Sequence, residues 1–530
     1  MKNKFLVFLN VILIFIIIVI MQYKGLTNYY YVNNDMRQYF FINNFRENID
    51  DNLLAQYSFA KWPSMTIYLS LFYVFVNTFI DFLMISKIIS ILLFLFSVIF
   101  MYKLGSIIKN KRYSSILAFL FILYSWTIAS FQLGLSRSFA FPLLIAFLYY
   151  FIKKDILKLS IILLLEAMLY PPVFLISLFT FGFSLIDLKD KRIRFDINRN
   201  RLFFIFAALA VISILAPMLF INYGIKERIT FKEAILSPEF YDGGRFLVFR
   251  GPIPFTSDFD SIIHTLTNLY NPRIYRPFHQ NGVFILYLTS FIFMVAYRKK
   301  IFKLPKEIYF LLISSLVLQS LAFLLLFKLH MPVRYVHFSI PLVLMVIFAN
   351  GMYFLSEKKK TKPFFAVMLL LLIIFYIPKV NPVLMHCEDA DIYEYIKTLP
   401  KESLIAGHPN DMDCIALYGQ RKPFIMSELN QPFYTDYYKI IKQRNYDFFS
   451  AYYSSSKNAV KEFCNKNEIT HLVVNKWHFD QEFLTRDRIY LEPFNAFIKN
   501  ITKGRNDFYL VEPENELYES NNKAIVGCGS

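Results

Sequence analysis

Long apolar runs follow one another through most of this chain, and nothing else limits its fold as strongly. The approximate segments are 5–23, 64–81, 83–105, 114–131, 138–152, 156–170, 172–187, 202–222, 282–297, 307–328, 332–355 and 363–380. A helix of about 20 apolar residues crosses a bilayer, and several of these runs reach or approach that length. Of the 530 residues, 56% are hydrophobic and 19% aromatic, whereas soluble domains hold about 45–50% apolar residues. The sequence therefore predicts a polytopic α-helical membrane protein. Lys2 and Lys4 precede an apolar core with no small-residue cleavage site after it, so the first segment reads as an uncleaved helix.

The basic residues orient the chain. A net charge of +18 on a soluble protein would point to nucleic acid. Here the Lys and Arg sit in short loops between apolar runs, where they set orientation, and no nucleic-acid partner is expected. With the N-terminus in the cytoplasm, loops 106–113, 153–158, 187–201, 298–306 and 356–362 all fall inside on two conditions. Segment 64–81 must lie at the outer surface instead of crossing. Segment 156–187 must be two short helices broken at Pro171–Pro172, where proline interrupts the ladder. Inner loops of roughly 50 residues then carry about 23 Lys and Arg, against about 14 in roughly 115 outer residues. The expectation is about 11 transmembrane helices, a plasma-membrane location, and a C-terminal tail outside.

On this threading, residues 1–382 form the transmembrane domain, with outer loops 24–63 and 223–281, and residues 383–530 form an extracytoplasmic domain. In that last part, "KESLIAGH" and Thr470–Asn475 read as strands, and "DADIYEYIKTLP" as a helix stopped by Pro400. Alternating helices and short apolar strands predict a C-terminal α/β domain. All four cysteines lie there, Cys387, Cys414, Cys464 and Cys528. Disulfides and free buried thiols both remain open, and no zinc-type spacing is present.

The order of features resembles the GT-C class of membrane glycosyltransferases, which includes protein O-mannosyltransferases, aminoarabinose transferases and the catalytic subunit of oligosaccharyltransferase. Five stretches carry the likeness: "NNDMRQYF" after the first helix, "WPSMTIYLSLFYVF", "YKLGSIIKNKR", "ASFQLGLSRSFAFPLLIAFLYYF" and "MPVRYVHFSIPLVLM". The resemblance spans roughly residues 5–355. It implies transfer of a sugar from a polyprenyl-phosphate donor to a protein, lipid or glycan acceptor outside the membrane, with inversion at the anomeric carbon. Membrane lipid is the other expected partner. In this class the first outer loop holds the catalytic carboxylate, and only Asp35 matches it. Asn34 stands where an acidic pair would place a second acid, and "QLGLSRS" holds no acid at all. The acidic residues that help several members bind metal thus have no counterpart in these loops, so a divalent metal stays open as a cofactor but is not assigned.

The residues add further candidates. Asp35 is either the base that takes the acceptor proton or the N-cap of a helix starting at Met36. Arg137 and Arg334 could hold the donor phosphate, or snorkel to headgroups. His330 and His337 flank Arg334. Arg245, Arg250, Arg273 and Arg276 alternate with aromatics in the loop 223–281, a pairing that suits sugars and phosphates. Gly243–Gly244 permit a sharp turn there. Glu166, inside an apolar segment, is a candidate second acid. A charge at the bilayer centre costs roughly 2.5–3.5 kcal/mol on insertion scales. "GHPNDMD" groups His408, Asp411 and Asp413, which could suggest a metal, but the spacing matches no standard site and a turn rich in Asx residues fits it better. Three other functions compete with transfer: a lipid-linked sugar flippase or transporter, a glycolipid-binding GT-C-like shell without catalysis, and a ligase or polymerase of surface glycans.

Overall fold

The computed structural model describes residues 3–61, 63–123, 131, 134–187, 192–193, 197–220, 227–246, 248–249, 304–325, 328–329, 331–357, 359–376 and 384–528. The protein is mostly helical. Among the described residues, Lys4–Thr27, Phe82–Ile108, Lys306–Leu324 and Pro332–Glu357 are long and apolar enough to cross a membrane. Thr66–Asn77, Pro171–Ser184, Arg201–Pro217 and Lys362–Ile374 are apolar but shorter. The expected segment 282–297 lies outside the described residues.

The chain forms two compact units. The first comprises Met1–Asn34, Leu83–Phe220 and Phe259–Met385, and the second Asp35–Phe82, Ile221–Asp258 and His386–Ser530. The helix Pro63–Asn77, expected not to cross, belongs to the second unit.

The helices of the first unit are apolar on all sides, as helices in an apolar medium are. Phe8, Phe15, Leu219 and Leu370 point outward from three of them. These are lipid-facing surfaces, and the protein is a membrane protein. Inside the unit, polar side chains clip helices together. Asn10 donates to the carbonyl of Ser115 at 2.9 Å, and the Tyr113 hydroxyl to that of Val346 at 2.9 Å. Such bonds act where no hydrophobic force separates helix from lipid. Gly105 lets the helices Phe82–Ile108 and Lys111–Leu123 meet, since a Cβ there would lie 2.6 Å from the Ser114 Cα. The double proline breaks the chain as expected. Ile156–Leu169 and Pro171–Ser184 are separate 14-residue helices joined at Tyr170, with Pro171 in the first turn of the second.

The second unit holds a five-stranded mixed sheet. Its strands are β1 (Leu404–Gly407), β2 (Lys422–Pro423), β3 (His471–Asn475), β4 (Glu516–Ser520) and β5 (Lys523–Gly527). The order is β2-β1-β3-β5-β4. β1 runs parallel to β2 and β3, and β5 antiparallel to β3 and β4. Asn521 and Asn522, both at positive φ, make the tight hairpin between β4 and β5, a place asparagine tolerates. Leu472, Val474 and Val526 bury against Phe448, Phe449, Tyr452 and Phe463. Two disulfides, Cys387–Cys414 and Cys464–Cys528, tie outlying segments to this core.

Candidate functional site

Asp35 lies in the first turn of a 3-10 helix, Asn34–Ile42, that follows soon after the first long helix. The helix begins one residue before it, so Asp35 is not an N-cap. Its side chain is buried, at 5% exposure.

Two residues on, Arg37 enters a buried network of charges within the second unit. Arg37 Nη1 bonds Asp413 Oδ2 at 2.6 Å, and its Nη2 bonds Glu428 Oε2 at 3.2 Å. Arg245 Nη2 reaches the same Glu428 oxygen at 3.0 Å. Gln38 donates to Glu428 Oε1 at 2.9 Å and accepts from the Lys61 ammonium. The backbone N–H of Glu428 donates to Asp413 Oδ1 at 2.9 Å. Burial pushes the Asp413 carboxyl up to about 6, against the pull of Arg37. Burial acts on Glu428 in the same sense, but Arg245, Arg37 and Lys61 together hold it below the usual range. Lys61 is pushed down to about 7 by burial. The double glycine puts Arg245 in place. Gly243 has φ +82, and a Cβ on Gly244 would lie 2.5 Å from the backbone of Glu239. The chain folds back there with a bond from Phe246 N–H to the Glu239 carbonyl at 3.0 Å. Arg245 thus spends its charge on Glu428. Arg250, Arg273 and Arg276 lie outside the described residues, as does His330.

In the first unit, Arg137 and Arg334 occupy similar places. Each sits in a one-turn 3-10 segment, Ser136–Phe139 or Pro332–Tyr335, that leads into an apolar helix. The two turns are held together just beyond the arginines. The Phe141 ring packs edge-on against Phe338 at 5.1 Å, and Tyr170 meets Phe338 at 5.7 Å. His337 lies within electrostatic reach of both guanidinium groups. Arg334 Nε is buried with no hydrogen-bond partner among the described residues. Guanidinium groups at such helix starts can receive an anion with several oxygen acceptors.

Glu166 is fully buried in the first unit. Ser177 donates to its Oε1 at 3.0 Å across the proline break, and Oε2 has no partner among the described residues.

The "GHPNDMD" group splits. Asp413 turns to Arg37, while Asp411 joins His408 and a residue from a distant turn, His478. Sequence spacing could not find this set, because His478 is brought in only by the sheet. Glu428, Arg37 and Lys61 carry no such spacing signal either, because distant segments bring them together.

No family model matches the chain, and no curated protein matches it. Solved structures similar to it include the archaeal oligosaccharyltransferase AglB of Archaeoglobus fulgidus in complex with an inhibitory peptide and a dolichol-phosphate. That match has 11% identity and a TM-score of 0.49, and covers 91% of this chain and 70% of that one. The Archaeoglobus fulgidus oligosaccharyltransferase in its apo form matches at 11% identity and a TM-score of 0.43, covering 95% and 72%. Oligosaccharyltransferases are among the GT-C enzymes that the sequence resembles. With TM-scores below 0.5, the likeness carries no argument about activity.

Proposed function

We propose that the chain is a membrane glycosyltransferase that moves a sugar from a polyprenyl-phosphate carrier to an acceptor on the outer face of the membrane. The observation that carries the reading is the place of Arg137 and Arg334, each in a short turn that leads into an apolar helix, with the Phe141 and Phe338 rings at the starts of those two helices in contact. A lipid-borne phosphate needs cations at that kind of boundary. In the reaction, the acceptor hydroxyl attacks the anomeric carbon and its proton passes to Asp35. The bond from that carbon to the phosphate oxygen breaks, and the electron pair leaves with the phosphate. Attack opposite the leaving group inverts the centre. Arg137 and Arg334 meet the charge that grows on the phosphate. The two disulfides of the second unit support an oxidising, extracytoplasmic setting for it. About 11 crossings with that unit outside fit the basic-loop pattern.

The test is sugar transfer from radiolabelled polyprenyl-phosphate sugars in membranes. Asp35→Asn keeps the size of the side chain and removes the base. At equal expression it is expected to lose at least about 10²-fold in rate. A variant as active as the wild type takes the base role from Asp35.

A further inference from the structure

We propose that His408, Asp411 and His478 form a binding site for a zinc-like divalent cation in the second unit, apart from the residues assigned to sugar transfer. The ligand-capable atoms of the three side chains lie within 4.8 Å of one another. The histidines come from different elements. His408 precedes the helix Pro409–Gly419, and His478 sits in the turn Lys476–Phe479 that follows β3. Their rings are 4.4 Å apart, and His478 Nε2 faces Asp411 Oδ2 at 3.8 Å.

A second observation, independent of this clustering, points to a ligand. His408 is 1% exposed, and its Nε2 has no hydrogen-bond partner among the described residues. An orphaned polar atom at that depth is costly to leave unmet, and a metal would satisfy it. The surrounding contacts suit ligation. The Tyr452 hydroxyl lies 3.3 Å from His478 Nδ1 and can accept a hydrogen bond from Nδ1–H, which leaves Nε2 to the metal. His408 Nδ1 accepts the N–H of Asn410 at a long 3.4 Å. Binding moves the ring proton from Nε2 to Nδ1 and gives up that weak contact. Ligand atoms around a tetrahedral zinc stand about 3.3 Å apart, from bonds of about 2.0–2.1 Å. Closing the set therefore takes shifts of about 1 Å, which side-chain rotation supplies.

Two imidazoles and one carboxylate are a zinc-type donor set, and a fourth position stays open to water. Lys523 is the competitor. Its ammonium lies 3.0 Å from Asp411 Oδ1 and 2.5 Å from Asp389 Oδ2. When the metal takes Asp411, Lys523 keeps Asp389. The Cys387–Cys414 disulfide already joins the segment before Asp389 to the helix of Asp411, so the metal would add a clamp from this helix to the turn after β3.

The test uses the full chain in detergent, untagged, stripped with chelator and kept oxidised so that no thiol binds metal. Co²⁺ alone is titrated and followed by its visible d–d bands. About one equivalent is expected to bind, with Zn²⁺ displacing it and raising Tm. His408→Ala and His478→Ala should lose the bands, and His471→Ala should keep them. Asp411→Asn, which keeps the side chain's shape, serves if the histidine variants do not fold; its affinity should fall at least about tenfold. Lys523→Gln should bind about tenfold more tightly. The proposal fails if the wild type takes up no Co²⁺, or if Asp411→Asn and the histidine variants bind it as the wild type does.

Discussion

Two pairs of arginines stand in different surroundings in this molecule. In the second unit, Arg37 and Arg245 share Glu428, and Arg37 also holds Asp413. Their charge is met by the protein itself. In the first unit, Arg137 and Arg334 each sit in a short turn before an apolar helix, with the Arg334 Nε buried and without a hydrogen-bond partner among the described residues. A guanidinium answered from within serves to fix structure. On the proposed function, one at the start of an apolar helix, as Arg334 is, meets a phosphate from outside. Charge and residue type are the same in both places, so only the company of each arginine separates the roles.

Breaking the internal network should have the larger effect on stability. Glu428→Gln leaves Arg37, Arg245 and Lys61 with Asp413 as their remaining network carboxylate. Loss of one partner from a buried pair typically costs about 3–5 kcal/mol, and chemical denaturation of the purified protein should show a loss of that size. Arg334→Gln should behave in the opposite way. It relieves a like charge near Arg137, so stability should hold or rise. Donor binding should weaken by about 10- to 100-fold, because a hydrogen bond to a charged group contributes about 1.5–3 kcal/mol. Measured as KM for the lipid-linked donor, an unchanged value joined to a loss of stability would erase the distinction between the two pairs.

The same contrast explains what could be read in advance. Local signals were legible: the break at Pro171–Pro172, the helix ending before Pro400, and the strand at Thr470–Asn475, which the structure has as His471–Asn475. Each depends on neighbours a few residues away. The turn made by Gly243–Gly244 was legible as a turn, but not the carboxylate it delivers Arg245 to. Glu428 carries no local mark, and its partners come from residues 37, 38, 61 and 245. The arginine pair of the first unit stood out because each member was a charge beside an apolar helix. The contact between Phe141 and Phe338 that joins their two helices is one no spacing rule anticipates.

Proton linkage gives the finest test of the internal network. Lys61 is fully buried, and burial lowers it to about 7, with Glu428 opposing and Arg245 assisting. In the unfolded chain a lysine stays protonated up to about 10.4. Between these limits unfolding takes up a proton, so stability should rise with pH, by at most about 1.4 kcal/mol per pH unit. Below pH 7 the group is charged in both states and gives no slope. Asp413 acts in the reverse direction. Its carboxyl, raised to about 6, binds a proton in the folded state that the unfolded chain has lost above about 3.9. Stability should therefore fall as pH climbs from about 4 to 6. Denaturation across pH 4 to 10 separates the two, because Asp413→Asn should remove the lower slope and Lys61→Met the upper one. If Lys61→Met leaves the upper slope intact, the Lys61 ammonium is open to water and stands outside the buried network that Glu428 forms with Arg37 and Arg245.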